Sequence, residues 1–174
     1  MAGIYSISHS KKLFIISIVL AAPLLALRWS AHLFINETAI LIGLIFAVLF
    51  FVLNTYTILH DLVTTPRVTT DTILGAISAY ILIGLSWGMA YMAFEVVHPG
   101  SFTTATGAIS EVTNGFSQLI YYSFVCLTTL GFGDINPLYP PVRALSYLEA
   151  ITGQIYLTVL VARFVGLHIQ NSDK

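Results

Sequence analysis

The chain has 174 residues, 57% of them hydrophobic and only 9% charged, with a mean hydropathy of +0.88. Its polar residues are too few to coat a soluble globule of this length, which leaves an integral membrane protein. A formal net charge of −1 offers no basic face for nucleic acid, and the one cysteine, Cys126, excludes an internal disulfide framework and a cysteine-rich metal site.

A bilayer core of about 30 Å calls for roughly 20 apolar residues per crossing helix. Four stretches approach that length. Leu13 to Leu27 is the shortest; it follows Lys11 and Lys12, contains Pro23 and ends at Arg28 and Trp29, an interfacial anchor pair. Leu13 to Ala22 also reads as the core of a signal peptide, against which no small-x-small site follows the apolar run. Thr38 to Leu59 carries no charge between Glu37 and His60, and Thr72 to Phe94 carries none between Asp71 and Glu95. The last stretch follows Pro140-Pro141 and runs from Val142 to about Gln170, long enough to protrude beyond the bilayer.

With the N-terminus in the cytoplasm, Lys11, Lys12, Arg67 and Lys174 lie inside while Arg28 and Arg143 lie near the outer face. That bias has the expected sign, and four crossings return the C-terminus to the cytoplasm. Residues 96–115, rich in Ser, Thr and Gly, then form an exposed outer loop. Phe116 to Leu127 is apolar and too short to span, which suits a half-helix buried within protein.

After that half-helix comes Thr128-Thr129-Leu130-Gly131-Phe132-Gly133-Asp134. Its glycines stand at alternate positions, where a backbone turning successive carbonyls to one side needs unusual dihedrals, and glycine supplies these at little steric cost. Irregular backbone at membrane depth is tolerated only where protein covers it or where it lines a water-filled path. Four such segments around an axis make rings of oxygens able to replace the water around a cation.

The run resembles the selectivity filter of potassium channels, whose pattern is Thr-x-Gly-Tyr/Phe-Gly-Asp; Thr129, Gly131, Phe132, Gly133 and Asp134 match it. The resemblance covers about Gly115 to Gln170 well and the preceding span loosely. It implies an all-α membrane protein: four transmembrane helices plus a re-entrant pore half-helix and selectivity filter, assembled as a tetrameric pore. Residues 1–70 supply two N-terminal helices of unassigned role. Residues 71–174 supply the pore domain, with outer helix 72–94, turret 96–115, half-helix 116–127, filter 128–134 and inner helix 142–170.

In this reading the half-helix ends near Thr128 with its partial negative charge aimed at the bilayer centre. Potassium ions sit at the carbonyls of Thr129, Leu130, Gly131 and Phe132 and at the Thr129 hydroxyl, with Gly133 completing the filter. Five extended residues give roughly 15 Å of narrow path. The side chains of Leu130 and Phe132 point away into packing. Thr128 and Asp134 support the filter, and Asp134 hydrogen-bonds toward Tyr121 and Tyr122. Phe132 lacks the hydroxyl of the commoner Tyr, and Val125 offers Asp134 no carboxylic partner, so the cuff around the filter is less stiffly held.

Gly153 lies midway along the inner helix, where two roles fit: a gating hinge, as the family often has at this distance, or close helix packing. Gln154, Leu157, Thr158, Val161, Ala162 and Val165 fall on one helical stripe, expected to line the cavity and lower gate. Gln154 either hydrates an ion below the filter or makes a polar contact between helices. Glu149 is an ionisable residue inside a span, either functional by default or hydrogen-bonded to a neighbouring half-helix. Arg163 is expected to snorkel to the inner surface. Gly84 and Gly88 form a small-xxx-small packing face, and Cys126 reads as a buried small hydrophobe.

No span carries the regularly spaced arginines of a voltage sensor, and no cytoplasmic ligand-binding domain is expected after Gln170. His60 and His168 near the inner face could tune gating through protons. Glu95 and His98 form a weak Glu-x-x-His metal signal, and Asn36-Glu37-Thr38 matches a glycosylation sequon.

The function expected is passive, potassium-selective conduction through a homotetramer in the plasma membrane, with potassium in the filter and no organic cofactor. A less selective monovalent cation channel and a non-conducting scaffold or regulatory subunit are the alternatives. An intramembrane hydrolase would need a nucleophile and base meeting in a cleft, and no pairing of Ser, His and acid suits it. No enzyme and no nucleic-acid partner are expected.

Overall fold

A computed structural model describes residues 37–66, 68–104, 107–109 and 112–172. The expected first helix, its signal-peptide alternative, Asn36 and Arg67 lie outside these residues. The described elements are α1 (Glu37–Thr64), α2 (Thr70–Val97), β1 (Phe102–Thr104), β2 (Gly107–Ala108), α3 (Val112–Leu127), β3 (Ile135–Pro137) and α4 (Pro140–Ser172). Three of the helices, α1, α2 and α4, are long and apolar enough to cross a membrane. The protein is an all-α membrane protein by architecture, with one small sheet in strand order β2-β1-β3.

Three of the helices, α1, α2 and α4, start where the sequence can satisfy the first turn. Glu37 places a carboxylate at the N-terminus of α1, where the dipole favours it. The α2 helix opens on a capping box: the Thr69 hydroxyl accepts from the Thr72 amide, the Thr72 hydroxyl accepts from the Thr69 amide, and Asp71 adds charge. Pro140 and Pro141 open α4, where their missing N–H groups cost nothing.

The α1 and α2 helices pack antiparallel, and α3 lies between α2 and α4. Glycines set these approaches. A Cβ on Gly84 would stand 2.7 Å from the Phe124 ring, and one on Gly88 3.1 Å from the Ile120 Cα, so this small-residue face admits the half-helix to van der Waals contact. The core gathers at one end of the bundle, called the upper end below. There Leu44 and Ala47 of α1, Met89, Tyr91 and Met92 of α2, Leu119 and Tyr122 of α3, and Val142 of α4 surround Phe102 of β1 and Ile135 of β3. Tyr91, Phe102 and Tyr122 meet edge to face, with centroids 5.2–5.5 Å apart.

The segment 96–115 departs from an exposed loop. Phe102 is fully buried, and β1 pairs antiparallel with β3, Thr103 opposite Asn136. The strand that leaves 128–134 is thereby tied to the outer segment. Glu95 fixes its other side: Oε1 accepts from the Gly100 amide at 2.7 Å and Oε2 from the Phe102 amide at 3.2 Å. Glu95 is therefore spent on backbone, and among the described residues no cluster of His, Cys, Asp and Glu could hold a metal. Glu95→Ala strands those buried amides at a cost of ~1–3 kcal/mol. Hydrogen exchange at residues 100–104 checks this, and faster exchange there than in the wild type is the expected result.

Candidate functional site

The half-helix α3 ends in a Schellman turn. The Thr129 amide donates to the Cys126 carbonyl at 2.9 Å and the Leu130 amide to the Val125 carbonyl at 3.0 Å, while Thr129 adopts a left-handed φ of 57°. Glycine normally fills that position. A β-branched residue there is a strained outlier, worth of order 1–3 kcal/mol. The Thr129 hydroxyl accepts from Gln154 Nε2 of α4 at 3.0 Å, which fixes the strained residue to the opposite helix. Gln154 thus reaches the loop that follows α3 and remains exposed.

Positive φ then recurs at every second residue: 57° at Thr129, 62° at Gly131 and 75° at Gly133, with Leu130 and Phe132 between them on the negative side. Alternating handedness brings successive peptide groups round to one side. The amides of Thr128, Thr129 and Leu130 are all used inside α3. Among the described residues none donates to the carbonyls of Thr129, Leu130, Gly131 or Phe132, and the run 128–134 is exposed in the single chain. Only Gly133 differs, its carbonyl accepting from Asn136 Nδ2 at 2.8 Å. A short row of unclaimed carbonyl oxygens is what this loop presents.

The supports are distributed differently from the expectation. Asp134 lies close enough to the Tyr121 hydroxyl to interact with it. Tyr122 does not reach Asp134: its hydroxyl pairs with Ser146 of α4 at 2.7 Å, because it lies on the buried face of α3 beside Tyr91 and Phe102. Thr128 bonds back to the Phe124 carbonyl at 2.6 Å and so closes the helix. Leu130 and Phe132 are 59% and 64% exposed, so nothing in their own chain supplies the packing expected for them.

Gly153 meets the end of the half-helix, since a Cβ there would lie 2.0 Å from the Leu127 carbonyl oxygen. The same oxygen accepts from the Tyr80 hydroxyl at 3.2 Å. Leu157, Thr158, Val161, Ala162 and Val165 are exposed along the lower half of α4, together with Ile151, Ile155 and Val159 on an adjoining stripe. Cys126 is half-buried against the core.

Two polar contacts tie the final helix to the rest of the chain, and for Glu149 the bond goes to the half-helix, one of the two roles the sequence left open. Glu149 is fully buried between Tyr91 and Ser123 of its own chain. Arg163 reaches the C-terminal end of α1. Its Nη2 donates to the carbonyls of Val63 and Thr65, at 2.6 and 3.0 Å, where α1 ends and its carbonyls lack helical partners. The cation also complements the negative end of the α1 dipole. Arg163→Ala frees α1 from the lower half of α4 at a cost of about 1.5–3 kcal/mol, the range for hydrogen bonds to charged groups. Arg163→Lys keeps the charge on a shorter stem without the planar guanidinium, and an intermediate melting temperature in detergent is expected.

The ion channel family model matches residues 73–169, more than half of the chain. Two pore potassium channel c of Oryza sativa subsp. japonica is 29% identical over 91 residues, covering 50% of this chain and 19% of that relative. The chain thus spans about a fifth of the length of the curated relative it matches. No solved structure matches it. From the outer helix through the half-helix and its carbonyl-bearing loop to the long final helix, the chain belongs to the ion channel family.

Proposed function

We propose that this ion channel is passive and potassium-selective, and that four copies surround one conduction path. The observation that carries the reading is the alternation of φ at Thr129, Gly131 and Gly133 beside unclaimed carbonyls. Rings of such oxygens replace the hydration shell of a cation. Potassium is held at Thr129, Leu130, Gly131 and Phe132, Thr129 adding its hydroxyl, while Gly133, Asp134 and Tyr121 anchor the exit. The name of the rice relative supports potassium as the ion.

One strand cannot encircle an ion, so the pore is a homotetramer. Two observations favour it: the apolar side chains of Leu130 and Phe132 stand uncovered in the single chain, and α4 is exposed over two adjoining stripes. One stripe, with Leu157, Val161 and Val165, lines the cavity below the filter and its gate. The other packs on a neighbouring subunit or lipid. The subunit sits in the plasma membrane with both termini cytoplasmic.

The test is a planar bilayer holding purified protein between opposed potassium and sodium solutions. Current reversing near the potassium equilibrium potential is expected. Reversal near zero identifies a less selective monovalent cation channel, and no current with intact protein identifies a scaffold.

A further inference from the structure

Glu149 sits where α2, α3 and α4 meet, with none of its surface exposed. Its Oε2 accepts from the Tyr91 hydroxyl at 2.6 Å, its Oε1 lies 2.5 Å from Ser123 Oγ, and that same Oγ lies 2.7 Å from the Gly84 carbonyl oxygen. A serine hydroxyl owns one proton, and a peptide carbonyl can only accept. Should Ser123 donate to a Glu149 carboxylate, its oxygen would face the Gly84 oxygen with no hydrogen between them. Should Ser123 donate to Gly84, its contact with Glu149 is a hydrogen bond only when Oε1 carries a proton. The protonated acid alone turns all three contacts into hydrogen bonds, running Tyr91 to Glu149 to Ser123 to Gly84 with one proton per link.

The surroundings point the same way. Among the described residues the one ion pair is His60 with Asp61, so no cation balances Glu149. The groups facing it are the neutral side chains of Tyr91 and Tyr80 from α2 and of Ser123, Tyr122 and Cys126 from α3. A carboxylate buried without a cation carries a large desolvation cost, which a neutral acid avoids.

We infer that Glu149 is a neutral carboxylic acid that acts as a positioning residue: its proton relay pins α3 to both flanking helices and so holds the carbonyl loop in place. The positioning role rests on the reading of residues 128–134 as the filter; the protonation does not. Ser123 lies one turn above Leu127, between the Gly88–Ile120 and Gly84–Phe124 approaches, so slack at this point passes directly to Thr129.

Infrared difference spectra of the purified full chain, paired with potassium flux from vesicles, test both parts. The carbonyl stretch of a protonated carboxylic acid is expected in the wild type, lost in Glu149→Gln, and moved to higher wavenumber in Tyr91→Phe, where the acid carbonyl loses its donor. Glu149→Gln retains wild-type flux, because an amide donates to Ser123 and accepts from Tyr91 as the neutral acid does, whereas Glu149→Ala loses it. Absence of that band in the wild type, or a Glu149→Gln protein that fails to assemble or conduct, would overturn the inference. A wild type that shows the band but carries no flux would sustain the proton assignment and overturn both the positioning role and the transport reading.

Discussion

Gly131→Ala is expected to abolish the proposed potassium flux while leaving the proposed oligomer assembled. Gly131 holds φ at 62°, and a Cβ built there meets no atom within 4 Å, so the penalty inside one chain is conformational rather than a clash. An L-residue in the left-handed region costs roughly 1–2 kcal/mol more than glycine. One chain could absorb that. In the proposed tetramer, four copies at the same level of one pore add ~4–8 kcal/mol, enough to displace the conducting arrangement by about a thousandfold or more. Relief comes by turning the peptide beside residue 131, which takes a carbonyl out of the row and leaves its amide in the path of a cation. The core at the upper end and the α2–α3 contacts are untouched, so cross-linking should still trap the same oligomer. Unchanged flux in that variant would refute the assignment of residues 128–134.

The three described spans were legible because hydropathy alone marks them, but their ends were not. His60 bounded a stretch whose helix continues to Thr64, since a polar side chain marks a water interface rather than a backbone change. The start of α3 at Val112 and the strand β1 were hidden by a composition that reads as loop; β1 exists because β3 pairs with it and because Phe102 has a core to enter. Within the carbonyl loop the glycines announced two of three left-handed residues. Thr129 carried no such mark, although the spacing of Gly131 and Gly133, run back by two, lands on it. Contacts between distant residues were beyond reach: Tyr91 and Glu149 lie 58 positions apart, and Arg163 and Val63 lie 100 apart. For Gly153 the sequence left two roles open, and the structure supplies a reason for glycine that does not need bending.

That reason makes Gly153→Ala a more damaging added methyl than one at Gly75, Gly84, Gly88, Gly115 or Gly166. The added Cβ would lie 2.0 Å from the Leu127 carbonyl oxygen and 3.0 Å from its carbon, whereas ordinary contact begins near 3.4 Å, so the two helices must part by roughly 1.4 Å. The carbonyl cannot give way alone. It belongs to the last turn of α3, locked by the Schellman bonds to Thr129 and Leu130, and it accepts from Tyr80 on the far side. Overpacking of this kind costs about 3 kcal/mol or more. Retreat of α4 also pulls Gln154 from the Thr129 hydroxyl, leaving the strained residue without its tether. A large fall in melting temperature together with loss of flux is expected. Gly166→Ala is the control, because a Cβ there meets nothing within 4 Å and the change gains up to ~1 kcal/mol of helix propensity. A residue needed only for bending would tolerate alanine with altered gating and an intact melting temperature. The two roles therefore separate on a stability measurement made without any current, and a Gly153→Ala protein that melts like the wild type would leave the hinge as the better account.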